Sequence, residues 1–239
     1  MWKFLIVTCL CLPTCLFAQY HPSFSNDYHS FWGRWMWTFR TKHVNYAVEG
    51  VFRQQENEFA PQGWAGHNAP LAVPLVRGLR VAAQYNVSKH WRLDAGTSWF
   101  WTHPVIRKAT DLDKPIYNDI RITIMPNYTF KTKKFEFNNK LGVETFFISP
   151  RHFDSVSVRP YIQERPTFKY QFAPHWWASV YDEFWVDTQT WKYNQHRPAG
   201  MLHFQLNGNT VLEGGVFMTY RPNDPTYGVT WMFYCNQVF

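Results

Sequence analysis

From Phe31 to Phe239 the chain is written in segments in which apolar and polar side chains alternate one for one. That is the period of a strand with two unlike faces. Phe31 to Arg40 sets Trp35, Trp37 and Phe39 against Arg34, Thr38 and Arg40, and Val44 to Arg53 sets Val44, Tyr46, Val48 and Phe52 against Asn45, Glu49 and Arg53. The alternation is cleanest in the middle. Leu79, Val81, Ala83, Tyr85 and Val87 oppose Arg80, Gln84 and Asn86, and Trp91, Leu93, Ala95, Trp99 and Trp101 oppose Arg92, Asp94 and Ser98. Ile120, Ile122, Ile124 and Tyr128 oppose Arg121, Thr123 and Asn127. Phe135, Phe137, Leu141, Val143 and Phe147 oppose Glu136, Asn138, Lys140 and Glu144. Four more segments lie at 158–172, 176–186, 197–206 and 211–221. A last one, Thr226 to Phe239, aligns Tyr227, Val229, Trp231, Phe233, Cys235 and Phe239, with Gln237 as the one polar intruder.

The connections alternate too. Short turns fall at 41–43, 88–89, 131–134, 173–174 and 207–209, and longer loops at 54–74, 103–118, 148–157, 187–195 and 222–225. Strands of about ten residues or more with this rhythm predict a single antiparallel transmembrane β-barrel, with short periplasmic turns and longer extracellular loops. A soluble sandwich would use strands nearer ~5–6 residues. Eleven segments are legible. An all-antiparallel closed barrel needs an even number, so a weak first strand within 20–30 is expected, giving about twelve, with ten as the alternative. Aromatic residues gather near segment ends (Trp35, Trp37, Trp91, Trp99, Trp101, Trp176, Tyr128, Phe135), where a bilayer interface would hold them.

The start of the chain differs. Met1-Trp2-Lys3, an apolar run from Phe4 to Leu12 and then Ala18-Gln19 predict a signal peptide over 1–18, leaving 19–239 as the barrel domain. Cys9, Cys11 and Cys15 would leave with it, and Cys235 would remain without a disulfide partner. The formal charge of +7 raises the possibility of nucleic acid. Spread-out basic residues in a secreted chain count against it, and favour lipid headgroups or a small anionic solute. A mean hydropathy of −0.39 is compatible with a barrel, because half of each strand faces a polar lumen.

The lumen face is expected to carry Arg80, Arg92, Asp94, Arg121, Glu136, Lys140, Glu144, Arg159, Arg165, Glu183, Arg197 and Glu213, with Arg34, Arg40, Glu49, Arg53, Lys169 and Arg221 beside them. These side chains either bind and admit an anion or pair with one another and fill the barrel. Glu164 and Asp182 fall on the lipid face, where a charge is costly, and are expected at a rim or at a register-changing bulge. Serine esterase chemistry needs a hydroxyl beside an imidazole. The local pairs are His21 with Ser23 and His29 with Ser30, and His203 has no serine nearby on its own face. His67, His103, His152, His175 and His196 show no paired metal spacing, and no cofactor motif is present. A non-enzymatic barrel without a cofactor is the leading expectation: a narrow channel, a solute-binding barrel or a structural envelope barrel. A lipid-modifying barrel enzyme is the alternative. A secreted soluble protein binding glycans through Trp64 and Trp191 is the third reading.

Trp32-Gly-Arg-Trp35, the return strand ending Val51-Phe52-Arg53, Tyr181-Asp-Glu-Phe184, His196-Arg197, the Leu206-Asn-Gly-Asn209 turn and the terminal strand together resemble domain-of-unknown-function family 2490. These are outer-membrane barrels of Bacteroidetes-type Gram-negative bacteria. The resemblance spans nearly all of 19–239. It implies a porin-like barrel in the cell outer membrane, in contact with lipid and with the barrel assembly machinery. That machinery would read a C-terminal signal in Trp231, Phe233 and Phe239. The resemblance implies no activity and no catalytic residue.

Overall fold

The computed structural model describes residues 28–55, 73–104, 110, 113–150, 155–222 and 224–239. The expected signal peptide, most of the 54–74 loop, His21, Ser23, Trp64, His67 and His152 lie outside these residues. Among the described residues the protein is all-β, with thirteen strand segments: β1 (Tyr28–Arg40), β2 (Val44–Gln55), β3 (Val73–Asn86), β4 (Trp91–Thr102), β5 (Tyr117–Lys131), β6 (Phe135–Pro150), β7 (Ser157–Ala173), β8 (Trp176–Tyr181), β9 (Phe184–Asp187), β10 (Lys192–His196), β11 (Ala199–Asn207), β12 (Thr210–Arg221) and β13 (Asp224–Val238).

Each of β1 to β7 pairs antiparallel with its sequence neighbour, and the sheet closes on itself into a barrel. The segments form eleven staves. β8 and β9 both pair with β7 in one unbroken register, from Thr167 opposite Tyr181 to Glu164 opposite Phe184. β11 and β10 continue one another in the same way alongside them. The interruption has a local cause. Asp182 sits between Pro166 on one side and Pro198 on the other, and a proline has no N–H to donate to a ladder. The Asp182 N–H still reaches the Pro166 carbonyl at 3.3 Å. Asp182 therefore marks a break that keeps register, neither a rim nor a register shift. Glu164 takes a hydrogen bond from the Asn139 amide at 3.0 Å.

The expected count of twelve, or ten, is corrected to eleven, and the all-antiparallel expectation to a mixed barrel. β1 pairs parallel with β13, from Tyr28 opposite Gly228 to Thr38 opposite Val238. An odd number of staves closes when one neighbouring pair runs parallel. β1 has β2 on its other edge, so no further strand fits at this seam. Side chains tie the seam on both faces. Inside, Ser30 and Thr230 share a hydrogen bond at 2.8 Å, and the Arg53 guanidinium donates to Ser30 at 2.9 Å and to Thr230 at 2.7 Å. Outside, the Trp37 indole donates to the Gln237 amide oxygen at 3.0 Å, which gives the polar intruder of the last strand its partner. Phe239 stacks on Phe39 with ring centroids 5.5 Å apart. Arg53→Met should weaken the seam by about 1.5–3 kcal/mol, the range for hydrogen bonds to a charged group. Urea unfolding followed by tryptophan fluorescence would measure this, and an unchanged midpoint would mean the seam is held by its backbone ladder alone.

The two faces of the wall differ sharply. Phe39, Tyr46, Tyr85, Trp91, Phe130, Phe135, Trp176 and Phe239 point outward at the end that carries the short turns. Leu79, Val81, Ile122, Ile124, Leu141 and Val143 are exposed along the middle, and Trp99, Trp101 and Tyr117 towards the other end. Inward, two kinds of side chain meet. One wall, from β11 through β13, holds an apolar cluster of Met201, Phe217, Met232 and Tyr234, with Trp32, Tyr181 and Ala199 packed against it. The rest is mainly polar and charged, with single buried apolar side chains such as Phe100, Met125, Tyr161 and Trp185 set among the charges.

Candidate functional site

The barrel encloses a cavity of about 600 Å³. Strand pleating aims alternate residues of every stave at this space. It is lined by nine cationic side chains (Arg34, Arg40, Arg80, Arg92, Arg121, Lys140, Arg165, Lys169, Arg197) against five carboxylates (Glu49, Asp94, Glu144, Glu183, Glu213). Ten of the twelve charged residues proposed for this face from sequence line the cavity. The other two lie apart from it. Glu136 bridges Lys131 at 3.4 Å and Lys169 at 3.7 Å, and Arg159 is exposed near the start of β7.

Carboxylates are shared between partners rather than paired off. Glu49 faces Arg80 at 3.7 Å and Arg34 at 4.0 Å, and Asp94 holds Arg92 at 2.5 Å and Lys140 at 3.2 Å. Glu183 lies 3.6 Å from Arg197 and 3.8 Å from Arg165, and also accepts a short hydrogen bond from the Gln163 amide. Glu144 faces Arg121 at 3.8 Å and accepts from the Trp185 indole at 3.3 Å. The arginines also rest on rings: Arg34 on Tyr234 at 3.9 Å, Arg121 on Phe146 at 4.1 Å and Arg197 on Trp185 at 4.4 Å. Stacked and bridged in this way, the guanidinium planes are held in fixed positions around the lumen. Asp119 holds Arg121 at 2.5 Å and Glu136 meets Lys169 at 3.7 Å from just outside the cavity. The nine cations thus face seven carboxylates in all, and the site keeps a small net positive charge towards a solute that can enter.

A second constellation lies where the charged wall meets the apolar cluster. The Ser179 hydroxyl is 2.7 Å from His203 Nε2, and His203 Nδ1 is 3.1 Å from Glu213 Oε1. The other Glu213 oxygen accepts from Arg34 at 3.1 Å. Ser179 and His203 are 3% and 6% exposed, and all three residues line the cavity. The sequence expectation that His203 has no serine on its face is corrected here. Ser179 reaches it from the neighbouring stave, through the pairing of β8 with β11. Ser30, by contrast, is fully buried on the inner side under Arg53 and cannot be a lipid-facing nucleophile.

The remaining histidines stand apart. His103, at the end of β4, has its imidazole held below the ordinary histidine range by burial and by the Arg77 charge. His196 meets Asp182 at 3.3 Å beside Phe184 and Tyr220. Among the described residues, no three His, Cys, Asp or Glu side chains converge as metal ligands. Trp191 projects into solvent, 73% exposed, from the β9–β10 turn, with φ at 53°.

A closed mixed barrel with a charged interior is the class of protein that these observations define. The family described as protein of unknown function, DUF2490, matches residues 29–228, and the chain belongs to it. No curated protein and no solved structure matches the chain.

Proposed function

We propose that the protein is an outer-membrane β-barrel whose narrow, basic lumen takes up small anionic solutes. The observation that carries this reading is the opposition of the two faces. Aromatic girdles and an aliphatic band cover the outside, while nine cations against five carboxylates line the inside. A water-soluble protein rarely exposes so continuous an apolar surface, and a bilayer is the environment that such a belt fits. This counts against the soluble glycan-binding reading. The apolar cluster on one wall favours a constricted passage over a wide pore. In this reading the short turns face the periplasm, the barrel assembly machinery reads Trp231, Phe233 and Phe239, and the signal peptide over 1–18 directs export.

The test is conductance of the purified, folded protein in a planar bilayer over a range of salts. Small, anion-selective steps are expected, and Arg80→Gln with Arg121→Gln should reduce the selectivity. Wide unselective steps, or protein that stays monodisperse without detergent, would overturn the reading.

A further inference from the structure

We propose that Ser179, His203 and Glu213 form a serine-hydrolase site inside the barrel, acting on short acyl esters whose alcohol part carries a carboxylate or phosphate. The connectivity is that of an activated nucleophile: hydroxyl to Nε2 at 2.7 Å, and Nδ1 to carboxylate at 3.1 Å. Glu213 is itself oriented, because its second oxygen is held by Arg34 at 3.1 Å. A structural hydrogen-bond chain would need no opening to solvent, yet all three groups border the cavity. The surroundings select the substrate. Met201 and Tyr181 follow His203 and Ser179 on the same inward faces, and Met232 accepts the Tyr181 hydroxyl at 3.6 Å, which makes an apolar wall for an acyl chain. On the other side, Lys169 stands directly opposite Ser179 in the β7–β8 register and borders the same cavity.

The reaction balances with water as the only co-reactant. Ser179 Oγ attacks the ester carbonyl carbon and its proton passes to His203 Nε2. Lys169, whose ammonium lies 3.7 Å from Glu136 in the resting protein, is the cation opposite Ser179 that turns to meet the tetrahedral oxyanion. Collapse breaks the bond to the alcohol, which leaves with the proton from His203. Water from the lumen then attacks the acyl-serine and gives His203 a proton. Collapse returns that proton to Ser179 and releases the carboxylic acid.

The experiment treats the folded full-length protein in detergent with diisopropyl fluorophosphate and reads its intact mass and peptide map. One adduct is expected on Ser179, with labelling slowed at least ~10-fold in His203→Gln. Hydrolysis of 4-acetoxybenzoate and of neutral phenyl acetate is followed in parallel. The anionic ester should be preferred, and Ser179→Ala should reduce its turnover at least ~100-fold. Lys169→Met should lower kcat while leaving the adduct on Ser179. Ser179→Ala removes one atom, and heat-shifted gel mobility is the check that the variant folds. No adduct on the folded protein, or turnover unchanged in Ser179→Ala, would overturn the proposal. The charge of the substrate rests on the basic-lumen reading, whereas the serine adduct does not. Equal rates on the two esters would overturn the anionic substrate alone.

Discussion

Phe217→Ala should destabilise the barrel by about 3–5 kcal/mol, the usual range for deleting a buried ring. Phe217 is 1% exposed and is the most buried member of the inward cluster. Its ring meets the Trp32 indole edge-on at 5.7 Å, and the Arg53 and Arg197 guanidinium groups each lie 5.6 Å from its centre. Strand backbones are fixed by their ladders on both edges, so the wall cannot collapse into the space that the ring leaves. The cavity term should therefore be felt nearly in full. The same space adjoins the lumen, so conductance should rise as stability falls. Urea titration of heat-resistant gel mobility measures the first and bilayer recording the second. A loss below about 1 kcal/mol would mean that the cluster repacks, and that it does not constrict the lumen.

Glu183→Ala should cost about 3 kcal/mol, the lower end of the range for removing one partner of a buried ion pair. Glu183 lies where the broken stave leaves its ladder, and its backbone exchanges hydrogen bonds with Arg197 at 2.9 and 3.3 Å. Its carboxylate lies between Arg165 and Arg197. Arg165 is one-third exposed and can turn towards lumen water, which holds the loss below the upper limit. Arg197 is less exposed and rests on Trp185, so it is less able than Arg165 to turn towards lumen water when the carboxylate is removed. Glu183→Gln keeps the hydrogen bonds and should recover part of the loss. If both variants match the parent in urea, the lumen is wet enough to solvate these arginines, and the fixed-guanidinium picture fails.

The strands were legible because one face of each is predominantly apolar, with Gln237, Glu164 and Asp182 as exceptions, and all eleven alternating segments correspond to staves. Their closure was not legible. The parallel pairing of β1 with β13 joins residues about two hundred positions apart, and no local signal sets it. Counting strands by the rule for all-antiparallel barrels therefore gave the wrong parity. Trp32, Phe217 and Tyr234 sit on the face that otherwise carries charge, so a two-letter reading of the inner wall as polar missed the cluster. The Ser179 site was half visible. His203 lies directly opposite Glu213 across the Asn207-Gly208-Asn209 turn, a pairing that the hairpin itself dictates. Ser179 needed the register between β8 and β11, which is set across the β9–β10 connection and its bulge between Tyr193 and Gln195 and could not be counted along the chain.

The odd number of staves also decides sidedness. β1 begins at the end that carries the long connections, whereas β13 finishes beside the short turns, where Phe239 meets Arg40. If the barrel spans the outer membrane as proposed, an epitope placed just ahead of Tyr28 and one appended after Phe239 should report opposite faces of that membrane. On intact cells an antibody would see the first and miss the second. In a barrel with an even number of strands, the two tags would share one compartment.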